Sequence, residues 1–91
     1  MKLNEQEITN ALCLNMAQRK QLNPSQVEVV LMWDEDLGFS AEVFAEGRNQ
    51  ILIEANIHEA LMQFLAQQQI RVFREQIRLE LEDEIVAYIS E

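Results

Sequence analysis

The apolar residues near the start of the chain recur at the spacing of an α-helix. Those that form this stripe are Ile8, Ala11, Leu12 and Met16. Asn4 and Glu7 have the spacing of a capping box just before the stripe, and Leu3 is placed to pack as a hydrophobic staple. The pattern therefore predicts a helix over residues 5–20, followed by a connection at Asn23-Pro24-Ser25.

The next part of the chain alternates apolar and polar residues with a period of two, which is typical of β-strands. The alternation predicts strands over Val27–Trp33, Phe39–Glu46 and Gln50–Glu54, separated by turns at residues 34–38 and 46–49. Three strands this close together in the chain predict an antiparallel meander.

The same alternation divides the predicted sheet into two faces. The residues expected to face the helices are Val27, Val29, Leu31, Phe39, Ala41, Val43, Ile51 and Ile53. The other face then carries Val30, Met32, Phe44 and Leu52. A sheet with one solvated face normally has polar residues there, so this apolar set is a candidate contact surface. The alternative is that the C-terminal segment folds across it.

Residues 56–91 contain neither glycine nor proline. The spacing of Asn56 and Glu59 predicts a helix beginning near Ile57. The apolar phase changes beyond residues 67–69, which favours a break there and a second helix over one continuous helix. Residues 77–82 alternate strictly and also suit a strand, although their residue types favour a helix.

These elements predict one two-layer α+β domain spanning residues 1–91. Its three-stranded antiparallel meander packs on helices in the order α-β-β-β-α, with an optional final helix. Double-stranded RNA-binding domains share this order, but they place lysines at the start of the last helix. Here that position reads Asn56-Ile57-His58-Glu59, so the comparison concerns topology and not RNA binding.

The charge balance argues against nucleic-acid and membrane partners. The chain has 16 acidic and 7 basic residues, a formal net charge of −9. Binding to phosphates requires a basic surface, so direct binding to nucleic acid or an anionic membrane is not expected. No apolar run approaches the ~18 residues of a membrane span, and the N-terminus lacks the apolar core of a signal peptide. We expect a cytoplasmic protein.

Few residues suggest catalysis or metal binding. His58 is the only histidine, and Met62 stands where a zinc-protease helix needs its second histidine. Cys13 is the only cysteine, which excludes an intramolecular disulfide, and its apolar neighbours indicate an inert thiol. The sequence predicts no catalytic residue, metal site or cofactor, and hence a non-enzymatic protein. His58, Glu54 and Glu59 are the candidates for a ligand site.

Several segments together resemble a known group of proteins. They are residues 1–8, residues 38–43 (Gly-Phe-Ser-Ala-Glu-Val), residues 52–56 (Leu-Ile-Glu-Ala-Asn) and residues 79–89. In these segments the chain resembles the small, uncharacterised YxcD-like proteins of spore-forming Gram-positive bacteria. Because that group has no assigned activity, the resemblance implies no catalytic residue.

The surplus of apolar positions favours a protein-binding function, with a second copy of the chain or else another protein as the expected partner. The predicted interface residues are Val30, Met32, Phe44, Leu52, Val72, Leu79 and Val86. Two other hypotheses remain open at this stage. One is a ligand-binding protein or enzyme that uses carboxylates with His58, and the other is an acidic regulator that imitates nucleic acid.

Overall fold

The computed structural model describes residues 1–90, which form two α-helices and six β-strands. The strands are β1 (Lys2–Leu3), β2 (Glu28–Asp34), β3 (Gly38–Ala45), β4 (Arg48–Ile53), β5 (Ile77–Leu81) and β6 (Ile85–Ile89), and the helices are α1 (Glu5–Lys20) and α2 (Glu54–Gln67). Within the described residues, neither helix is both long and apolar enough to cross a membrane.

The capping residues set the start of α1 as predicted. The backbone N–H of Glu7 donates to Asn4 Oδ1 at 2.8 Å, and the backbone N–H of Asn4 donates to Glu7 Oε1 at 3.0 Å. The helix ends where Gln21 adopts a left-handed conformation with φ of 58°. The predicted helix over residues 5–20 is confirmed, because its start and stop are both encoded locally.

The predicted meander is also confirmed. Strands β2, β3 and β4 form an antiparallel sheet in that order. The β3–β4 turn has only two residues, Glu46 and Gly47, with φ of 55° and 72°. Positive φ at both positions defines a type I′ turn, which fixes Ala45 opposite Arg48.

The predicted orientation of β4 is wrong. Leu52, assigned to the outer face, is 2% exposed, whereas Ile51 and Ile53, assigned to the core, are 54% and 61% exposed. The two-residue turn sets the register that pairs Leu52 with buried Ala41, so the even-numbered residues of β4 face the helices. Because side chains alternate, this register puts both isoleucines on the opposite face.

The second helix begins earlier than predicted. It starts at Glu54 instead of near Ile57, and Asn56 Oδ1 accepts a hydrogen bond from the backbone N–H of Ile53 at 3.0 Å. Asn56 is therefore a capping residue, as predicted, but the helix that it caps begins directly after β4. The helix ends at Gln67, as the change of apolar phase predicted.

The segment after this break is a β-hairpin, so the predicted final helix is wrong. Strands β5 and β6 pair antiparallel, and β1 pairs with the other side of β6 to complete a second sheet. Lys2 lies opposite Tyr88 in this sheet. The strict alternation of residues 77–81 matched the strand, and pairing with β6, which β1 holds from its other side, overrides their helical propensity.

The two helices and the two sheets enclose one hydrophobic core. Helix α1 packs against α2, β2 and β6, and α2 packs against β3 and β4. The largest fully buried side chains are Ile8, Leu12, Val43, Ile57, Leu61 and Leu65. The molecule measures 37 × 34 × 20 Å, and its short dimension fits two layers packed about 10 Å apart.

Candidate functional site

The outer face of the β2–β3–β4 sheet is largely apolar. Its three cross-strand rows are Glu28–Phe44–Asn49, Val30–Glu42–Ile51 and Met32–Ser40–Ile53. We define the apolar patch as the five apolar side chains on this face, Val30, Met32, Phe44, Ile51 and Ile53. Four of them are exposed and Met32 is half-buried. The patch is rimmed by polar residues, an arrangement that is typical of contact surfaces.

A single carboxylate lies in the middle of the apolar patch. Glu42 sits between Val30 and Ile51 in the central row, and its Oε2 accepts a hydrogen bond from Asn49 Nδ2 at 2.9 Å. The neighbouring amide holds this carboxylate against the sheet. A partner on this face would therefore meet apolar side chains around one partly satisfied negative charge.

The C-terminal segment does not cover the apolar patch. It forms β5 and β6, and β6 packs on α1 and β1. Val30, Ile51 and Ile53 stay 45%, 54% and 61% exposed. The alternative in which the tail folds across the outer face is therefore wrong for the described residues.

The structure separates the predicted interface residues into two groups. Val30 and Phe44 are exposed on the outer face, and Met32 is half-buried on the same face. The other four, Leu52, Val72, Leu79 and Val86, are between 2% and 9% exposed and are not available as a surface in the single chain. Ile51 and Ile53, which the sequence analysis placed on the core-facing side, are exposed on the outer face instead. The type I′ turn at Glu46-Gly47 was the signal that could have identified them.

The three candidate ligand residues do not form a common site. His58 is 8% exposed, and its Nδ1 and Nε2 lie 2.8 Å from the carbonyl oxygen of Glu54 and 3.3 Å from that of Ile77. Both ring nitrogens thus face main-chain acceptors, and the ring links α2 to β5. His58 is buried because the start of β5 lies over this part of α2.

The Glu54 carboxylate serves the β2–β3 turn instead. Its Oε1 accepts a hydrogen bond from the backbone N–H of Phe39 at 3.0 Å. A Cβ atom on Gly38 would lie 2.6 Å from the same oxygen, and Gly38 has φ of 74°. The left-handed backbone therefore favours glycine, and a larger residue would also displace the Glu54 carboxylate from its bond to Phe39. Glu59 is exposed and joins neither arrangement.

Metal and thiol chemistry receive little support from the geometry. Among residues 1–90, no group of three or more His, Cys, Asp or Glu side chains is placed to hold a metal ion. Cys13 is half-buried, and its Sγ lies 3.6 Å from the carbonyl oxygen of Val27. Burial raises the pKa of the Cys13 thiol, which disfavours the reactive thiolate.

The outer face of the second sheet carries a charged cluster that the sequence did not reveal. Lys2 Nζ lies 3.1 Å from Glu82 Oε1, and the Tyr88 hydroxyl donates a hydrogen bond to Glu82 Oε2. Lys2 and Arg78 also approach the Tyr88 ring, at 5.5 and 5.3 Å from its centroid. The hydrogen bond from Tyr88 lowers the pKa of Glu82, and the hydrogen bond to Glu82 raises the pKa of Lys2 and of Tyr88.

Comparison with known proteins agrees with the resemblance found in the sequence. A family model described as a protein of unknown function (DUF2653) matches residues 1–84. The uncharacterised protein YxcD of Bacillus subtilis (strain 168) is 34% identical over 64 residues, which are 69% of this chain and 63% of that protein. The match thus spans less than two thirds of the relative, and no solved structure matches the chain. On the family match, this chain belongs to the DUF2653 family, and the predicted YxcD-like relationship is confirmed.

Proposed function

We propose that this chain is a non-enzymatic, cytoplasmic protein-binding module that associates with a second copy of itself through the apolar patch. The observation that carries the proposal is the outer face of the β2–β3–β4 sheet, where four apolar side chains are exposed together. Removing such a surface from water is favourable by ~25 cal/mol for each Å² buried.

A second copy suits the patch better than a strongly charged partner. Glu42 is the charge within the patch and Glu28 lies beside Phe44 at its rim, whereas the chain as a whole has a net charge of −9. Two copies that met through most other surfaces would bring many carboxylates together. Self-association through a surface with few charges keeps this repulsion small.

The geometry around His58 supports a protein-binding function over a ligand site or active site that uses His58 and Glu54. Both ring nitrogens face main-chain carbonyl oxygens, and the Glu54 carboxylate is engaged with the backbone of Phe39. These groups act as links between structural elements. A ligand that used them would first have to break those contacts.

Sedimentation equilibrium over a range of concentrations tests the proposal. The expected mass at high micromolar concentration is twice the 10.6 kDa of one chain. Ile51→Lys should raise the dimer dissociation constant at least about tenfold, since a lysine on an edge strand opposes association. Leu81→Lys is the matched control, because Leu81 is 51% exposed on β5 while Ile51 is 54% exposed on β4.

The control should dimerise like the original chain. Equal weakening by both substitutions would mean that added charge, and not the apolar patch, controls association. A mass of one chain for the unsubstituted protein at high micromolar concentration would exclude self-association as its function.

A further inference from the structure

The free edge of β4 has a defined pattern of open hydrogen-bonding groups. A two-residue hairpin closes on a hydrogen-bonded pair, so Ala45 and Arg48 exchange main-chain bonds. By alternation, Gln50 and Leu52 also point their N–H and C=O groups toward β3. The main-chain groups of Asn49, Ile51 and Ile53 therefore point away from the sheet.

One of these outward groups is already occupied. The N–H of Ile53 donates to Asn56 Oδ1, which agrees with its outward direction. Apart from pairing within the sheet, no main-chain hydrogen bond found among the described residues involves the N–H of Asn49 or Ile51, which by alternation point away from β3. The open part of the edge thus extends over Asn49, Gln50 and Ile51 and ends at the Asn56 cap.

The space beside this stretch is also open. Strand β4 is the last strand of its sheet, and residues 48–51 are all exposed. An extended strand can therefore approach β4 without displacing another element.

The other long edges are less suited to pairing with themselves. Strand β2 begins with Glu28 and ends with Asp34, and an antiparallel pair centred on Leu31 would oppose these two carboxylates. On β5, His58 Nε2 lies 3.3 Å from the outward carbonyl oxygen of Ile77. Strand β4 contains no acidic residue, and Arg48 is its one charged residue.

We propose that two copies of the chain join by antiparallel pairing of β4 with β4, with Gln50 opposite Gln50 of the other copy. In this register Asn49 of each copy faces Ile51 of the other, which forms four main-chain hydrogen bonds from groups that are open in the single chain. The inference rests on the proposed self-association and specifies its geometry.

The Asn56 cap selects this register over its neighbour. A pair centred on Ile51 would oppose Asn49 to Ile53 and would require the Ile53 N–H that Asn56 already binds. Pairing centred on Gln50 leaves both caps intact. It also places Arg48 diagonal to Glu54 of the other copy, a spacing that a long side chain can bridge.

Edge pairing uses the Ile51 end of the apolar patch, at the free edge of the sheet, and keeps the Glu42 carboxylates of the two copies apart. Face-to-face packing of the two patches would bring Glu42 of each copy toward the other at the centre of the interface. Edge pairing instead builds a six-stranded sheet, in which Ile51 packs beside Asn49 of the other copy and the two patches form one continuous surface. The two Glu42 carboxylates then lie three strand spacings apart, with the two β4 strands between them.

Disulfide formation between copies tests the register directly. In a Cys13→Ser background, Gln50→Cys should cross-link under mild oxidation, because opposed side chains in a non-hydrogen-bonded pair have Cβ atoms ~5 Å apart. Glu42→Cys is the matched probe for face-to-face packing and should not cross-link. Both positions lie within the sheet, and Gln50 is exposed.

A second pair of variants tests the main-chain bonds. Ile51→Pro removes the outward N–H, which an edge strand tolerates, whereas Ile51→Thr keeps it. The proline variant should raise the dimer dissociation constant at least about tenfold over the threonine variant, by sedimentation equilibrium, while circular dichroism shows that both are folded. A Pro variant that does not fold leaves the cross-linking result to decide.

The outcomes separate the two proposals. Efficient cross-linking through Gln50→Cys and little through Glu42→Cys supports edge pairing. Cross-linking through Glu42→Cys, or a dimer that cross-links through neither, overturns edge pairing but leaves self-association intact. A chain that is monomeric at high micromolar concentration overturns both.

Discussion

The two three-stranded sheets of this molecule differ on their outward faces. On the β1–β6–β5 sheet, one cross-strand row consists of Lys2, Tyr88 and Arg78, and Glu82 binds two of these side chains. On the β2–β3–β4 sheet, the corresponding face carries the apolar patch around Glu42. On the β1–β6–β5 face these polar side chains bind one another within the chain, whereas the β2–β3–β4 face leaves apolar surface exposed that a partner can bury.

Two valines, one on the outward face of each sheet, illustrate the same contrast. Val86 lies on the outward face of β6 but is 2% exposed, and Lys2 and Glu82 line the same groove beside it. Val30 lies on the outward face of β2 and is 45% exposed. Long charged side chains cover apolar surface well, and the β2–β3–β4 sheet has few of them on this face.

The largest expected effect comes from neighbouring residues on the two faces of β4. Leu52→Ala should lower the free energy of unfolding by about 2–4 kcal/mol, because it leaves a cavity in the core. Ile51→Ala should lower it by less than about 1 kcal/mol in the monomer, since Ile51 is already exposed. Chemical denaturation at low protein concentration measures both, and equal effects would contradict the observed orientation of β4.

His58→Ala should have the next largest effect, on the attachment of the second sheet. It removes the ring that contacts the carbonyl oxygens of Glu54 and Ile77, and we expect a loss of about 1–3 kcal/mol in unfolding free energy. Glu59→Ala, on the same helix but exposed, is the control and should change little. Hydrogen exchange should show weaker protection of β5 than of β3, and uniform loss across the chain would argue against a local link.

A double substitution should make the β2–β3–β4 sheet resemble the β1–β6–β5 sheet. Val30→Thr with Ile51→Thr retains β-branched side chains beside Glu42 but reduces the apolar patch. We expect the unfolding free energy of the monomer to change by less than about 1 kcal/mol, while the dimer dissociation constant rises several-fold. Unchanged association would show that the patch does not contribute to it.

The smallest effect concerns the charged cluster on the second sheet. The lowered pKa of Glu82 implies a contribution that is present above the ordinary carboxyl pKa and is lost as pH falls through the lowered value. The raised pKa values of Lys2 and Tyr88 imply contributions that are present below their ordinary values and are lost as pH rises through the raised ones. Tyr88→Phe should therefore weaken stability slightly near neutral pH and less at strongly acidic pH. Denaturation curves at both pH values measure this difference, and a constant difference would exclude Glu82 as the partner.

Local signals account for what the sequence predicted well. The Asn4–Glu7 capping box fixed the start of α1, and alternation located β2, β3 and β4 within one or two residues. The break after Gln67 followed from the change in apolar phase. In each case, residues close together in the chain determine the structure.

The features that the sequence did not predict depend on distant contacts or on one turn. Pairing of Lys2 with Tyr88 turns the C-terminal segment into a strand, and β5 buries His58. The two-residue turn at Glu46-Gly47 decides which face of the sheet Ile51 occupies. Because the sequence analysis did not use this turn, it assigned the residues of β4 to the wrong faces. The sequence therefore predicted an apolar outer face for this sheet, but not all of the residues that form it.

In the proposed function, the β2–β3–β4 sheet and not the β1–β6–β5 sheet binds the second copy. Two-dimensional ¹H–¹⁵N spectra recorded from low to high micromolar concentration test it directly. We expect concentration-dependent shifts at Asn49, Gln50 and Ile51, with the amides of Arg78 and Tyr88 unchanged. Spectra that do not change with concentration, or shifts confined to the β1–β6–β5 sheet, would contradict the account.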